Sequence, residues 1–173
     1  MKLFELYGGP SAGKSVASAA LYVALKNEGV RASLVNEAAT ELILSGRRQP
    51  CFDNQYLVGA MQWERVLRLY RHGCDIAISD SPIIQGQLYS EGLVYHDEQF
   101  ALVRKLEKQF ETFKVYVHRC TPYDTYGRNQ SAEDAAALDS KSYLLGQPYW
   151  REIEGNAFGQ QGLCQAVIQE LGL

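Results

Sequence analysis

The chain has 173 residues, 46% of them apolar and 21% charged, and a net charge of −3. That length suits one domain with a real core, and the acidic balance argues against a surface devoted to clamping duplex DNA, though not against a local basic groove. No apolar run approaches a membrane span, and four scattered cysteines without a C-x-x-C pair suggest neither a metal site nor a disulfide scaffold, which points to a reduced, cytoplasmic setting.

Leu3-Phe4-Glu5-Leu6-Tyr7 is a short apolar run that predicts a buried first strand, so no leader peptide is expected. Gly8-Gly9-Pro10-Ser11-Ala12-Gly13-Lys14-Ser15 follows and fits G-x-x-x-x-G-K-S/T. Residues 16–25 are rich in helix formers. Strand, glycine loop and helix form the context in which this pattern binds phosphates. Successive N–H groups and the helix N-terminus would face the phosphates, Lys14 would sit against the β- and γ-phosphates, and Ser15 would bind Mg²⁺. The expected ligand is a nucleoside triphosphate.

Residues 31–36 predict a second strand, with Glu37 at its C-terminal end, where chemistry collects in open α/β sheets. A short helix is expected over 38–44, and Ser45-Gly46-Arg47-Arg48-Gln49-Pro50 breaks it. Asp53 is a candidate N-cap for a helix running to about His72. Its apolar positions are Leu57, Ala60, Met61, Val66, Leu67 and Leu69, and its polar side holds Gln55, Gln62, Glu64, Arg65, Arg68 and Arg71. Arg65, Arg68 and Arg71 share one side, either as a solvated basic face or facing a phosphate or acceptor.

Residues 74–79 predict a third strand ending at Asp80-Ser81-Pro82. An acidic residue just past a buried strand, well after a phosphate loop, is placed to bind Mg²⁺; capping a helix is the alternative use. Residues 83–95 hold a helical start and a loop around Gly92. An amphipathic helix is expected over 99–113, with Phe100, Leu102, Val103, Leu106 and Phe110 inward. Residues 114–118 predict a fourth strand closed by His118, a structural residue in preference to a catalytic one.

Residues 119–130 form a polar loop with one proline, two tyrosines and two arginines, Arg119 and Arg128. Ser131 is a candidate N-cap for a helix over 132–145, with Glu133 and Asp134 in its first turn. A lid spanning about 119–131 would bring an arginine over the transferring phosphate, Arg128 ahead of Arg119; a solvated surface loop is the alternative. Residues 150–154 predict a short fifth strand and 162–171 a closing helix. The alternation of strands and helices predicts an α/β fold, a three-layer αβα sandwich with a mostly parallel sheet, as a single domain over 1–173.

Gly8 to Ser15, then Asn36-Glu-Ala-Ala-Thr-Glu-Leu-Ile43, then Asp80-Ser-Pro82 together resemble the small P-loop kinases that include nicotinamide riboside kinase-like domains. The phrase Tyr126-Gly-Arg-Asn-Gln-Ser131, followed by an Ala-rich helix with Asp139, is similar to bacteriophage members, some of them 5-hydroxymethyluracil DNA kinases. The resemblance implies ATP and Mg²⁺ as cofactors, with Gly8, Gly9, Pro10, Ser11, Ala12, Gly13, Lys14, Ser15, Arg119 and Arg128 on the nucleotide. It further implies Ser15 and Asp80 on the metal, and Lys14, Glu37, Asp80 and Arg128 in catalysis. Glu37 is the favoured base and Asp80 the metal ligand, with exchanged roles or a helix-capping Glu37 as alternatives.

The acceptor would be nucleoside-like, including a base flipped from DNA, stacked on Tyr56, Trp63, Tyr123 or Tyr126 and read by Gln55 or Gln62. DNA would be met by Arg47, Arg48, Arg65 or Arg68. Ser81 departs from deoxynucleoside kinases, which place an arginine there, and no second acidic residue accompanies Asp80 as in ATPase motors. No AAA+ type lid domain is expected. A nucleoside, nucleotide or nicotinamide riboside kinase and a P-loop ATPase switch are the competing readings.

Overall fold

Along the first strand, side chains alternate between two buried faces, and the fold is built around that alternation. The computed structural model describes residues 1–47, 53–90, 96–123 and 131–173. Its strands are β1 (Lys2–Tyr7), β2 (Ala32–Val35), β3 (Ile76–Ser79), β4 (Glu111–His118) and β5 (Arg151–Glu154). Its helices are α1 (Lys14–Asn27), α2 (Ala38–Leu44), α3 (Gln55–Arg71), α4 (His96–Glu107), α5 (Ala132–Gly146) and α6 (Ala157–Leu171), with a 3₁₀ helix over Ile83–Tyr89.

The five strands form one sheet in the order β2-β3-β1-β4-β5, and every pairing is parallel. Both faces are covered, which is why the central strands read as near-continuous apolar runs. Phe4 and Leu6 of β1, with Ile76, Ile78, Phe113, Val115 and Val117, pack under Ala17, Leu21 and Leu25 of α1 and Leu163 and Val167 of α6. Residues one step out of phase face the other way. Tyr7 and Tyr116 meet Ile83, Ile84, Phe100 and Val103, while Leu3, Val35 and Ala77 meet Val66 of α3. The result is the expected three-layer α/β arrangement, with all described strands parallel.

Four local expectations give way. Asn54, not Asp53, caps α3, its side chain accepting the Leu57 N–H at 3.0 Å. Gln55 and Gln62, placed by their chemistry on the polar side of that helix, are buried, while Ala60 is exposed. The helix expected over 99–113 is α4, which starts earlier and stops at Glu107, and β4 begins at Glu111 instead of residue 114. The reason is pairing: β1 is matched along its length, from Lys2 opposite Glu111 to Tyr7 opposite Tyr116. Phe113 thereby leaves the helix face and stacks on Phe4, ring centroids 4.7 Å apart. Leu102, expected in the core, is largely exposed.

Because the strands are parallel, their C-terminal ends share one edge. Gly8, Asn36, Asp80, Arg119 and Gly155 all follow strands at that edge.

Candidate functional site

Between β1 and α1 the chain folds into a tight loop that glycine makes possible. Gly13 has φ 96°, in the left-handed region, and a Cβ there would lie 3.0 Å from the Gly155 carbonyl. Lys14 turns back over the loop and donates from Nζ to the carbonyls of Gly8 and Gly9, at 2.8 Å each. Helix α1 starts at Lys14 with Gly13 as N-cap, so no side chain caps its N-terminus. The positive end of the helix dipole is thus presented to the loop, the arrangement that binds phosphate groups.

Beside the loop is a cleft of about 710 Å³. Ser15 from the start of α1, Asn36 and Glu37 from the end of β2, Thr40 and Glu41 from α2, and Asp80 from the end of β3 line it, over an apolar floor that includes Leu34 and Ile78. The cleft thus brings Ser15 from the start of α1 together with Glu37 and Asp80 from two separate strand ends. Glu37 occupies the N-cap position of α2, yet its carboxylate caps no backbone N–H; it accepts the Thr40 hydroxyl at 2.5 Å. Asp80 does not cap the following 3₁₀ helix, whose N-cap is Pro82. Neither carboxylate is spent on ending a helix.

Among the described residues, no three of His, Cys, Asp and Glu gather into a metal site. The donors at hand, a serine hydroxyl and a strand-end carboxylate, are hard oxygen ligands suited to Mg²⁺, which completes its shell with phosphate oxygens and water.

A second set of residues, for which the sequence suggested contacts with a base or with DNA, holds this arrangement in place. Buried Gln62 accepts the Ala38 N–H on Oε1 at 2.9 Å and donates from Nε2 to Ser79 Oγ at 3.4 Å. It ties the residue after Glu37 to the residue before Asp80. Arg65 donates to the Asn36 carbonyl at 2.6 Å and pairs with Glu41, so this arginine is committed to the β2–α2 turn and does not belong to a solvated face. Arg71 pairs with Glu64, while Arg68 is exposed.

On the far side of the loop, Ser142 Oγ accepts the Gly8 N–H at 3.1 Å, and Gln85 donates to Ser142 Oγ at 2.6 Å and to the Gly8 carbonyl at 3.2 Å. Asp139 Oδ1 accepts the Gly9 N–H at 2.9 Å. Only long-range packing reveals these partners; polar residues recurring on the inner side of α5 are the faint signal in the sequence.

Other candidates fall elsewhere. Arg119 is held against Asp139, and its guanidinium lies 5.4 Å from the Tyr123 ring centroid. His118 hydrogen-bonds Glu152 at 2.7 Å, in keeping with a structural role. Trp63 packs on Phe110, and Gln62 is buried with both ends of its amide engaged by Ala38 and Ser79. Gln55 is buried and Tyr56 exposed. Arg48, Tyr126 and Arg128 lie outside the described residues.

Beneath the loop, Glu5 is buried in β1. Burial, and the nearby Glu107 carboxylate, push its pKa up to about 8, against the Tyr7 hydroxyl, which donates to it at 3.1 Å. Glu107 is likewise raised by burial.

No family model and no curated protein matches this sequence. Among solved structures, shikimate kinase from Aquifex aeolicus aligns over 99% of this chain and 96% of its own, with a TM-score of 0.49 and 12% identity. At that score and identity the likeness carries no weight for fold or chemistry. Both stand on the sheet order and the cleft. No helix among the described residues is long and apolar enough to cross a membrane.

Proposed function

We propose that the chain is an ATP-dependent phosphotransferase that moves the γ-phosphoryl group to a hydroxyl held in the cleft. One observation carries this reading: Ser15, at the end of the phosphate loop, lines the same cleft as Glu37 and Asp80. Phosphoryl transfer asks little covalent chemistry of a protein, chiefly positioning and charge neutralisation.

The loop from Gly8 to Ser15 would hold the triphosphate, with Lys14 neutralising charge on its β- and γ-oxygens. Ser15 and Asp80 would hold Mg²⁺, which supplies further neutralisation of the phosphate oxygens. The acceptor oxygen attacks the γ-phosphorus in line, the bond from phosphorus to the β–γ bridging oxygen breaks, and ADP departs with that oxygen. Glu37 would orient the acceptor hydroxyl and take its proton. Arg119 would meet the nucleotide phosphates from the other side of the loop.

The acceptor we favour is the 5-hydroxymethyl group of 5-hydroxymethyluracil in phage DNA, on the strength of the sequence resemblance. The test is transfer from γ-labelled ATP to duplex DNA carrying 5-hydroxymethyluracil, to unmodified DNA, and to a pool of free nucleosides and nucleotides. Label on the modified DNA alone, lost in Glu37→Gln, supports that acceptor. Label on free nucleosides or nucleotides retains the phosphotransferase and overturns the DNA substrate. Label released only as phosphate, with no acceptor stimulating it, overturns both in favour of an ATPase switch.

A further inference from the structure

Asp139 sits on α5, 130 positions away from the loop residue it touches. Its two carboxylate oxygens serve different partners. Oδ1 accepts the Gly9 N–H at 2.9 Å, while Oδ2 accepts Arg119 Nη2 at 2.8 Å and Nε at 3.0 Å. The approach to the loop is so close that a Cβ on Gly9 would lie 2.0 Å from Oδ1. The backbone of Asp139 is also held, its carbonyl accepting the Tyr116 hydroxyl at 3.0 Å. Arg119 Nη2 reaches the Ala135 carbonyl at 3.4 Å as well.

Two facts make this more than a buttress. First, the ion pair is mostly withdrawn from water, with side chains 16% (Arg119) and 26% (Asp139) exposed. Second, Arg119 Nη1 is buried and has no hydrogen-bond partner among the described residues. A buried donor on a charged group is costly to leave unmade. The guanidinium uses its Nε–Nη2 edge on Asp139, whose other oxygen holds Gly9 of the phosphate loop, and its Nη1 keeps N–H capacity. An anionic oxygen would satisfy it.

We propose that Asp139 is a positioning residue for the nucleotide: it fixes Arg119 beside the phosphate loop, with Nη1 turned to a phosphate oxygen of the bound triphosphate. This rests on reading the loop as a triphosphate site. Charge sets the order of effects. Arg119 neutralises Asp139, so the carboxylate does not repel the phosphates while the arginine is present. Removing Arg119 alone leaves an uncompensated anion beside the loop. Removing the Asp139 charge alone leaves the arginine in reach but loosely held.

The experiment is equilibrium titration of the full chain with a fluorescent ATP analogue and Mg²⁺, with thermal melts of each variant alongside. Asp139→Asn should weaken binding about tenfold, the loss of one hydrogen bond to a charged group. Arg119→Gln should weaken it more. The double variant should bind no more weakly than Arg119→Gln alone, because Asp139 acts through the arginine.

Variants that melt lower but bind the analogue as the unaltered chain does would overturn the proposal and leave Asp139 a structural brace. Penalties that simply add in the double variant would also overturn it. The underlying reading fails in a different way: the unaltered chain would then bind no analogue, or Lys14→Ala would bind it equally well.

Discussion

Gln62 accepts the N–H of Ala38 at 2.9 Å, and both groups are buried. That bond connects α3 to the first turn of α2 and so sets where Glu37 stands. The same amide donates to Ser79 Oγ at 3.4 Å, immediately before Asp80. A single side chain thereby registers Glu37 and Asp80 of the cleft against each other.

Gln62→Leu keeps the volume and removes both bonds, leaving the Ala38 N–H buried and unpaired. The expected cost is about 1–3 kcal/mol of stability, measured by urea unfolding. If Glu37 and Asp80 act as proposed, their misplacement should lower the transfer rate by about 10²-fold at saturating ATP. An unchanged rate in the folded variant would detach Gln62 from the chemistry.

Glu37→Gln retains an oxygen to accept the Thr40 hydroxyl, now 2.5 Å from the carboxylate, so the local shape should survive. With Glu37 as the proposed base, the substitution should reduce kcat by about 10²–10⁴-fold and spare binding of the ATP analogue. The pairing of a kcat assay with a binding titration checks this, and a matched loss of binding would assign Glu37 to the metal or nucleotide instead.

Asp80→Asn should act through the metal. The Mg²⁺ concentration needed for half-maximal transfer should rise about tenfold or more, while saturating Mg²⁺ recovers part of the rate. A Mg²⁺ titration of both proteins reads this directly. Unchanged Mg²⁺ dependence with a collapsed rate would exchange the roles of Asp80 and Glu37.

The buried Glu5 should make stability fall as pH rises. Its folded pKa, about 8, lies above the ordinary value of 4.5, so in that interval the folded state holds a proton that the unfolded state has released. Stability is full below the unfolded value and is lost as pH climbs toward the folded one, by about 1 kcal/mol per pH unit. Denaturant melts between pH 5 and 8 should show the decline, and Glu5→Gln should flatten it. A Glu5→Gln profile parallel to that of the unaltered chain would place the cause elsewhere.

Much of the fold is legible locally because secondary structure follows short periodicities. The apolar run before Gly8, the glycine loop, the helix formers after Ser15 and the strand-end positions of Glu37 and Asp80 all rest on neighbours within a few residues. Parallel βα alternation then limits where those ends can go, which is why the three cleft residues meet at one edge. The boundary between α4 and β4 escapes this logic. Phe110 and Phe113 continue an apolar helical spacing, and only pairing with β1 shows that Phe113 is in a strand.

By itself, the sequence determined the loop, the succession of strands and helices, and which carboxylates end strands, since each is written in adjacent residues. Tertiary structure alone decided the strand order, the burial of Gln55 and Gln62, the commitment of Arg65 to Asn36, and the meeting of Gly9 with Asp139 across 130 positions. The physical reason is that a polar side chain goes inside only when the packed chain offers it a partner, and such partners are set by long-range neighbours that no local pattern encodes.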